Sequence, residues 1–347
     1  MQTFLVCLLF ILGVILIVKG GDWFVDGAVW VAEVTKIPKF IIGATIVSLA
    51  TTLPEIIVST MAAIEGHQIL ISGVGDFIAA SQDKVGMAIG NGIGSVICNT
   101  AMILAISVVF IPVGVNRKDF APKALLLVAA VVTLFLFSLK GSLSIIGAIA
   151  LLIVFGLYIF ENIRSAKADI SVASSEEERP EINKKSVTIN VLKVVLGAAG
   201  IVIGSRLLVN SGSKIAASLG VSEAVIGVTI IAIGTSLPEL VTAIASIAKK
   251  QSSMSVGNVI GANVIDTTLI LAVCAFVYGG SLPVSAANIY LDFPVAILVS
   301  LIAVIPTIIT KKFSRWQGIV MLVIYAAYLY MSVAGLNWYL PLIGITA

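Results

Sequence analysis

Two glutamates stand where a helix should hold only hydrocarbon. Glu55 ends the phrase "IIGATIVSLATTLPE" and Glu239 ends "VIGVTIIAIGTSLPE", each directly after a proline, Pro54 or Pro238, in a long apolar run. Proline has no N–H, so the carbonyls four residues earlier, at Ala50 and Gly234, lose their helical partner. The ring's clash also loosens the carbonyls of Ser48 and Ala232. Hydroxyls flank both breaks, from Thr51 and Thr52 in one phrase and Thr235 and Ser236 in the other. Carboxylate, hydroxyl and carbonyl together make an all-oxygen ligand set. Such hard ligands suit Ca²⁺ and Na⁺ rather than Zn²⁺ or Cu⁺.

A second pair of phrases accompanies the first: "GNGIGSVICNT" at 90–100 and "GNVIGANVIDT" at 257–267. Gly90, Gly94, Gly257 and Gly261 would let helices approach closely, and these blocks are expected to interrupt their helices as well. Asn99 and Asp266 occupy matching positions, nine residues after the first glycine of each block.

The elements that must carry these residues are membrane helices. Of the 347 residues 59% are hydrophobic and only 11% charged, and mean hydropathy is +1.14. A soluble domain of this size needs more charge to cover its surface. With about 20 apolar residues per crossing, ten spans are expected: 2–33, 39–64, 84–110, 122–139, 143–163, 187–216, 222–248, 252–278, 289–309 and 316–335. The first and sixth are longer than one perpendicular crossing, which predicts strong tilt or protrusion. The N-terminal run lacks a basic n-region and a small-x-small cleavage site, so it reads as the first span rather than a signal peptide.

With the termini outside, 15 basic residues fall in the inside loops and their flanks, and three, Lys84, Lys140 and Lys214, fall outside. That asymmetry supports the topology. It makes 164–186, "RSAKADISVASSEEERPEINKKS", a flexible cytoplasmic linker in a multi-pass protein of the cell membrane. Cys7, Cys98 and Cys274 lack metal-ligand spacing and read as buried thiols. His67 falls in the outside loop and is expected to be solvated. Trp23, Trp30, Trp316 and Trp338 suit the interface.

The chain is also a repeat. Residues 20–65 align with 204–249 at a constant offset of 184, and 43–55 share seven of thirteen residues with 227–239. The glycine–asparagine blocks align at an offset of 167, so the first half carries 17 extra residues, expected in the outside loop near 67–83. Residues 1–163 and 187–347 then hold five spans each. An odd number inverts the second half, and inverted repeats with interrupted helices are the signature of secondary transporters. The fold class is all-α integral membrane, with ten helices in two inverted five-helix repeats.

The four phrases resemble the α-repeats of the cation/calcium exchanger superfamily, and most closely its prokaryotic sodium/calcium exchangers. The resemblance spans both halves. It implies Na⁺-coupled Ca²⁺ antiport by alternating access, without catalytic residues or a cofactor. By motif position it makes Glu55 and Glu239 the central Ca²⁺ ligands, with the Thr51 and Thr235 carbonyls. Ser48 and Ala232 carbonyls, Thr52, Ser236 and Ser95 would form flanking Na⁺ sites, with Asn99 and Asp266 lining the centre. The long helices 2–33 and 187–216 would slide as the gate. The implied partners are Ca²⁺, Na⁺ and the bilayer, with no nucleic acid and a functional monomer. The chain departs from the pattern at Thr52, usually Ser, at Ala50, usually Gly, and at Ala262, where a serine would match Ser95.

Proton/calcium exchangers of the superfamily typically carry Glu in the glycine–asparagine blocks, where this chain has Asn99 and Asp266. Potassium co-transport stays open at this stage. An intramembrane aspartyl protease, suggested by "GVGD" at 73–76, would need a second intramembrane aspartate beside Asp76, which falls in a loop. A Ca²⁺ channel would normally use a ring of identical subunits rather than one chain's pseudo-symmetric pair.

Overall fold

The proline breaks set the helix plan. The computed structural model describes residues 2–73, 76–172, 183–219, 234 and 236–334. The helices are α1 (Gln2–Thr35), α2 (Lys39–Thr51), α3 (Leu53–Ser72), α4 (Phe77–Phe110), α5 (Arg117–Ser138), α6 (Ile145–Val172) and α7 (Lys184–Ser218). They continue with α8 (Leu237–Ala248), α9 (Ser252–Tyr278), α10 (Asn288–Thr310) and α11 (Arg315–Ala334). The axes of α2 and α3 differ by 46°, and the break falls at Thr52, two residues before Pro54. Among the described residues seven helices are long and apolar enough to cross a membrane, and the α2–α3 pair makes eight. The two other expected spans fall on α8, whose N-terminal side lies largely outside the described residues, and on α11.

The second half runs inverted. α3 ends beside the end of α9, where His67 Nδ1 lies 2.7 Å from Tyr278 O. α8 instead ends just before α9 begins, so the two glutamate-bearing helices point to opposite faces. One face holds the connections at 36–38, 111–116, 249–251 and 311–314, and there Phe313 N donates to Val113 O. The other holds 73–76, 139–144 and 279–287, where β1 (Ser142–Leu143) pairs antiparallel with β2 (Leu282–Pro283).

The centre belongs to the helices of the glycine–asparagine blocks. The most apolar window of α9 is 83% buried and that of α4 72%, against 22% for α1 and 17% for α7. The last two form a separate two-helix unit, each packing more on the other than on the rest. Their seam is built on glycine. Gly13 meets Gly204, Gly20 meets Gly197, and Gly27 meets Asn190, a seven-residue spacing on both helices, running antiparallel. A Cβ at these glycines would strike the facing backbone, so contact this close requires them. The outward faces carry exposed Phe4, Ile15, Val195 and Ile203, the surface a bilayer solvates.

Several expectations change. The 17 extra residues do not form a long loop; they lengthen α3 and α4, leaving only 73–76 between them. His67 is therefore helical and part-buried, not solvated in a loop. The linker is shorter than 164–186, because α6 runs to Val172 and α7 starts at Lys184; residues 173–182 lie outside the description. Cys98 and Cys274 are buried, but Cys7 is exposed on α1, facing where lipid would be. Lys123 lies inside α5, fully buried, donating to Ser165 Oγ at 2.8 Å. Trp338 lies outside the described residues.

Candidate ion-binding site

Each described break has the same local backbone. Thr52 has φ −82° and ψ 1°, and Ser236 has φ −89° and ψ 9°; in both halves proline and then glutamate follow in the first turn of the new helix. Proline suits that turn, where its missing N–H leaves no helical bond unmade. Both glutamates face inward and are buried, as are Asp266, Asn99, Ser95, Ser236, Thr51, Thr52 and Ser48. The three carboxylates lie within electrostatic reach of one another, and Thr51 stands beside Glu239. Thr235 and Ala232 lie outside the described residues.

The polar atoms here are left without partners. Both carboxylate oxygens of Glu55, Glu239 and Asp266, Oδ1 of Asn99, and the hydroxyls of Ser95 and Ser236 are buried with no hydrogen bond among the described residues. Buried polar groups are otherwise almost always satisfied. Three uncompensated carboxylates at membrane depth would cost several kcal/mol each. Among the described residues no three His, Cys, Asp or Glu side chains gather closely enough to hold an ion by themselves. A cation here must therefore draw on hydroxyl and carbonyl oxygens as well, the donor set that Ca²⁺ and Na⁺ accept.

Two details depart from the sequence reading. Ser48 O is not left loose. It accepts from Thr52 N at 2.9 Å, Thr52 Oγ1 at 2.7 Å and Thr51 Oγ1 at 3.2 Å. Ser48 O thus keeps its ordinary helical bond from Thr52 N, and the two threonine hydroxyls add to it. The glycine–asparagine helices are also not interrupted at their glycines. α4 and α9 run through, and each widens into π-helical turns at 99–104 and 265–270, where Asn99 and Asp266 sit. Such turns often mark functional sites. Gly257 and Gly261 do bring backbones together, since a Cβ on either would strike Phe40 O or Ala44 O of α2. The counterpart of that stretch of α2 falls within 220–233, outside the described residues, so the same expectation for Gly90 and Gly94 lies there too.

The asparagines of these blocks have a role that the sequence reading missed. Asn258 Nδ2 donates to Thr242 Oγ1 (2.9 Å), which contacts Pro238 O and Glu239 O at 3.0 Å each. Its Oδ1 accepts from Thr51 Oγ1 at 3.3 Å. In the other half Asn91 Nδ2 donates to Ser59 Oγ (2.9 Å) and lies 3.4 Å from Glu55 O. Each asparagine braces the first turn that carries a glutamate. The signal was available: Asn91 and Asn258 recur at the 167 offset.

With this geometry in view, comparison with known proteins is decisive. The family model for sodium/calcium exchanger proteins matches residues 5–163 and 189–334. The chain belongs to the sodium/calcium exchanger family. An uncharacterized membrane protein of Methanocaldococcus jannaschii is 33% identical over 321 residues, covering 91% of this chain and 94% of its own. The sodium/calcium exchanger MaX1 of Methanosarcina acetivorans is 28% identical, covering 93% and 97%. The structure of the sodium-calcium exchanger NCX_Mj soaked with Na⁺ and Sr²⁺ superposes with a TM-score of 0.77 at 31% identity, covering 94% of this chain and 99% of that one. This chain has the exchanger fold, helical and membrane-spanning, over nearly its whole length.

Proposed function

We propose that this exchanger moves Ca²⁺ against Na⁺ by alternating access, with both ions as substrates bound in turn among Glu55, Glu239 and Asp266. The observation that carries the reading is the cluster of buried oxygen atoms without partners, from three carboxylates, an amide and two hydroxyls. Glu55 and Glu239 hold Ca²⁺, aided by the carbonyls of Thr51 and Thr235. The carbonyls of Ser48 and Ala232 and the hydroxyls of Thr52, Ser236 and Ser95 serve flanking Na⁺ sites. Asn99 and Asp266 line the centre. Ser48 O reaches an ion only by sharing its lone pairs with the two threonines.

Charge balance enforces the exchange. A loaded site can be occluded between faces. An empty one would leave carboxylates uncompensated away from water, at several kcal/mol each. The chain works as a monomer in the cell membrane and does no covalent chemistry. Halves 1–163 and 187–347 act as the two inverted repeats, with the termini outside and the linker between α6 and α7 in the cytoplasm.

Proteoliposomes test this. Ca²⁺ uptake should require internal Na⁺ or Ca²⁺. Equal uptake with choline inside refutes coupled exchange, and uptake driven by a pH gradient alone identifies protons as the coupling ion instead.

A further inference from the structure

Apart from the sequence-local pair Glu33–Lys39, one cluster of ion pairs joins the α1–α7 unit to the rest of the protein among the described residues. Lys249, at the end of α8, donates to Asp22 O at 2.8 Å, pairs with Asp26 and lies 3.7 Å from Asp22 Oδ1. The repeat offset of 184 maps Lys249 onto Glu65, Asp22 onto Arg206 and Asp26 onto Asn210. The arrangement recurs with its signs exchanged. At the linker face the two-helix unit carries the acids and the core carries the base. At the opposite face the unit carries a base, Arg206, and the core an acid, Glu65.

Only the linker-face pair is made in this structure. Glu65 pairs instead with Lys84 of α4 at 2.9 Å. Arg206 lines a cavity of about 110 Å³ together with Ser205, Val58, Pro54 and Pro238, the last two immediately preceding the glutamates. We propose that Arg206 and Glu65 form a second clasp, and that the two clasps close alternately, each sealing one face. This rests on the alternating-access reading above and adds residues that position the two-helix unit in each state.

The repeat supplies the displacement. Gly21 of α1 packs against Val241 and Ala245 of α8, whose counterparts are Ser205, Ile57 and Met61. Ser205 now lies across the cavity from Pro54 and Val58, three residues short of that register, or about 4.5 Å at 1.5 Å per residue. A shift of the unit by about one helical turn toward the opposite face brings Arg206 to Glu65. It carries Asp22 and Asp26 away from Lys249 by the same amount. Neither shared acid is then stranded. Asp26 keeps Lys193, 3.5 Å away within the unit, and Glu65 keeps Lys84 within the core until Arg206 arrives. These pairs are part-exposed, so each clasp biases the equilibrium by a factor of about two to five rather than locking it.

Two double-cysteine variants test the proposal in the full-length protein in liposomes: Asp26→Cys with Lys249→Cys, and Arg206→Cys with Glu65→Cys. A short bis-maleimide is the probe, because a disulfide requires Cα atoms within about 7 Å. Cross-linked peptides are quantified by mass spectrometry. Both pairs should cross-link. Lys249→Gln should raise the Arg206–Glu65 yield two- to five-fold, and Arg206→Gln should raise the Asp26–Lys249 yield similarly. Failure of the Arg206–Glu65 pair to cross-link while the other pair does, or a yield that Lys249→Gln leaves unchanged or lowers, overturns the second clasp. Cross-linking does not depend on which ions move. Loss of Na⁺-driven Ca²⁺ uptake in the unmodified protein would refute the exchange reading separately.

Discussion

Asn258→Ala isolates the brace behind Glu239 without touching a proposed ligand side chain. The substitution removes two buried hydrogen bonds, Nδ2 to Thr242 Oγ1 and Oδ1 from Thr51 Oγ1. Each contributes about 0.5–1.5 kcal/mol net. Thr242 keeps its backbone acceptors, so it is not orphaned, and Thr51 keeps Ser48 O. The sum, about 1–3 kcal/mol, divides between fold stability and ion binding. If half of it appears in binding, about 0.5–1.5 kcal/mol, half-saturating Ca²⁺ for Na⁺-driven uptake rises about two- to twelve-fold. Because Thr242 acts through the same bond, Thr242→Val in the Asn258→Ala background should add less than it does alone, with a coupling of about 1 kcal/mol. An unchanged Ca²⁺ half-saturation for Asn258→Ala refutes the brace, as do fully additive effects. Thermal unfolding of the same variants separates a loss of fold from a loss of positioning.

Other substitutions follow from the same geometry. Glu55→Gln and Glu239→Gln should each abolish Ca²⁺ uptake while purification and unfolding stay native-like, since an amide keeps shape but not the charge that Ca²⁺ needs; normal flux in either variant removes that glutamate from the site. Ala262→Ser should strengthen Na⁺ competition against Ca²⁺ by supplying the hydroxyl that would match Ser95, whereas Ser95→Ala should weaken it; a competition curve moved by Ser95→Ala and not by Ala262→Ser counts against a role for position 262 in Na⁺ binding. Gly197→Leu should drive a side chain into the α1 backbone at Gly20 and Phe24 and halt exchange by separating the two helices; wild-type flux would show that the seam is dispensable.

What the sequence revealed and what it concealed divide along physical lines. The breaks at Pro54 and Pro238 were legible because a missing N–H is a local fact of chemistry, and a charge repeated after each break leaves few readings. The inversion was legible from counting five spans per half. The satisfied Ser48 carbonyl was not, because side-chain hydroxyls compete for that oxygen and only the folded rotamers show who wins. The π-turns at Asn99 and Asp266 replaced the expected breaks at glycine, since glycine in a packed helix serves approach as readily as interruption. The extra residues near 67–83 looked like loop, yet their apolar content, "HQILISG" included, was enough to extend two packed helices. The glycine seam was present at a seven-residue spacing in Gly13, Gly20 and Gly27, but a partner helix must be known before such a spacing means contact.

The twin breaks also have an electrical consequence. A helix that starts at mid-membrane directs its unpaired N–H groups, equivalent to about half a positive charge, at whatever lies beyond its first turn. α3 and α8 both start there, and both carry their glutamate in that turn. Each such terminus offsets part of the negative charge gathered at Glu55, Glu239 and Asp266. A lysine could supply the same offset, but its ammonium would be a tethered cation competing for the carboxylates with every ion that arrives. The proline breaks instead provide a positive potential that occupies no ligand position.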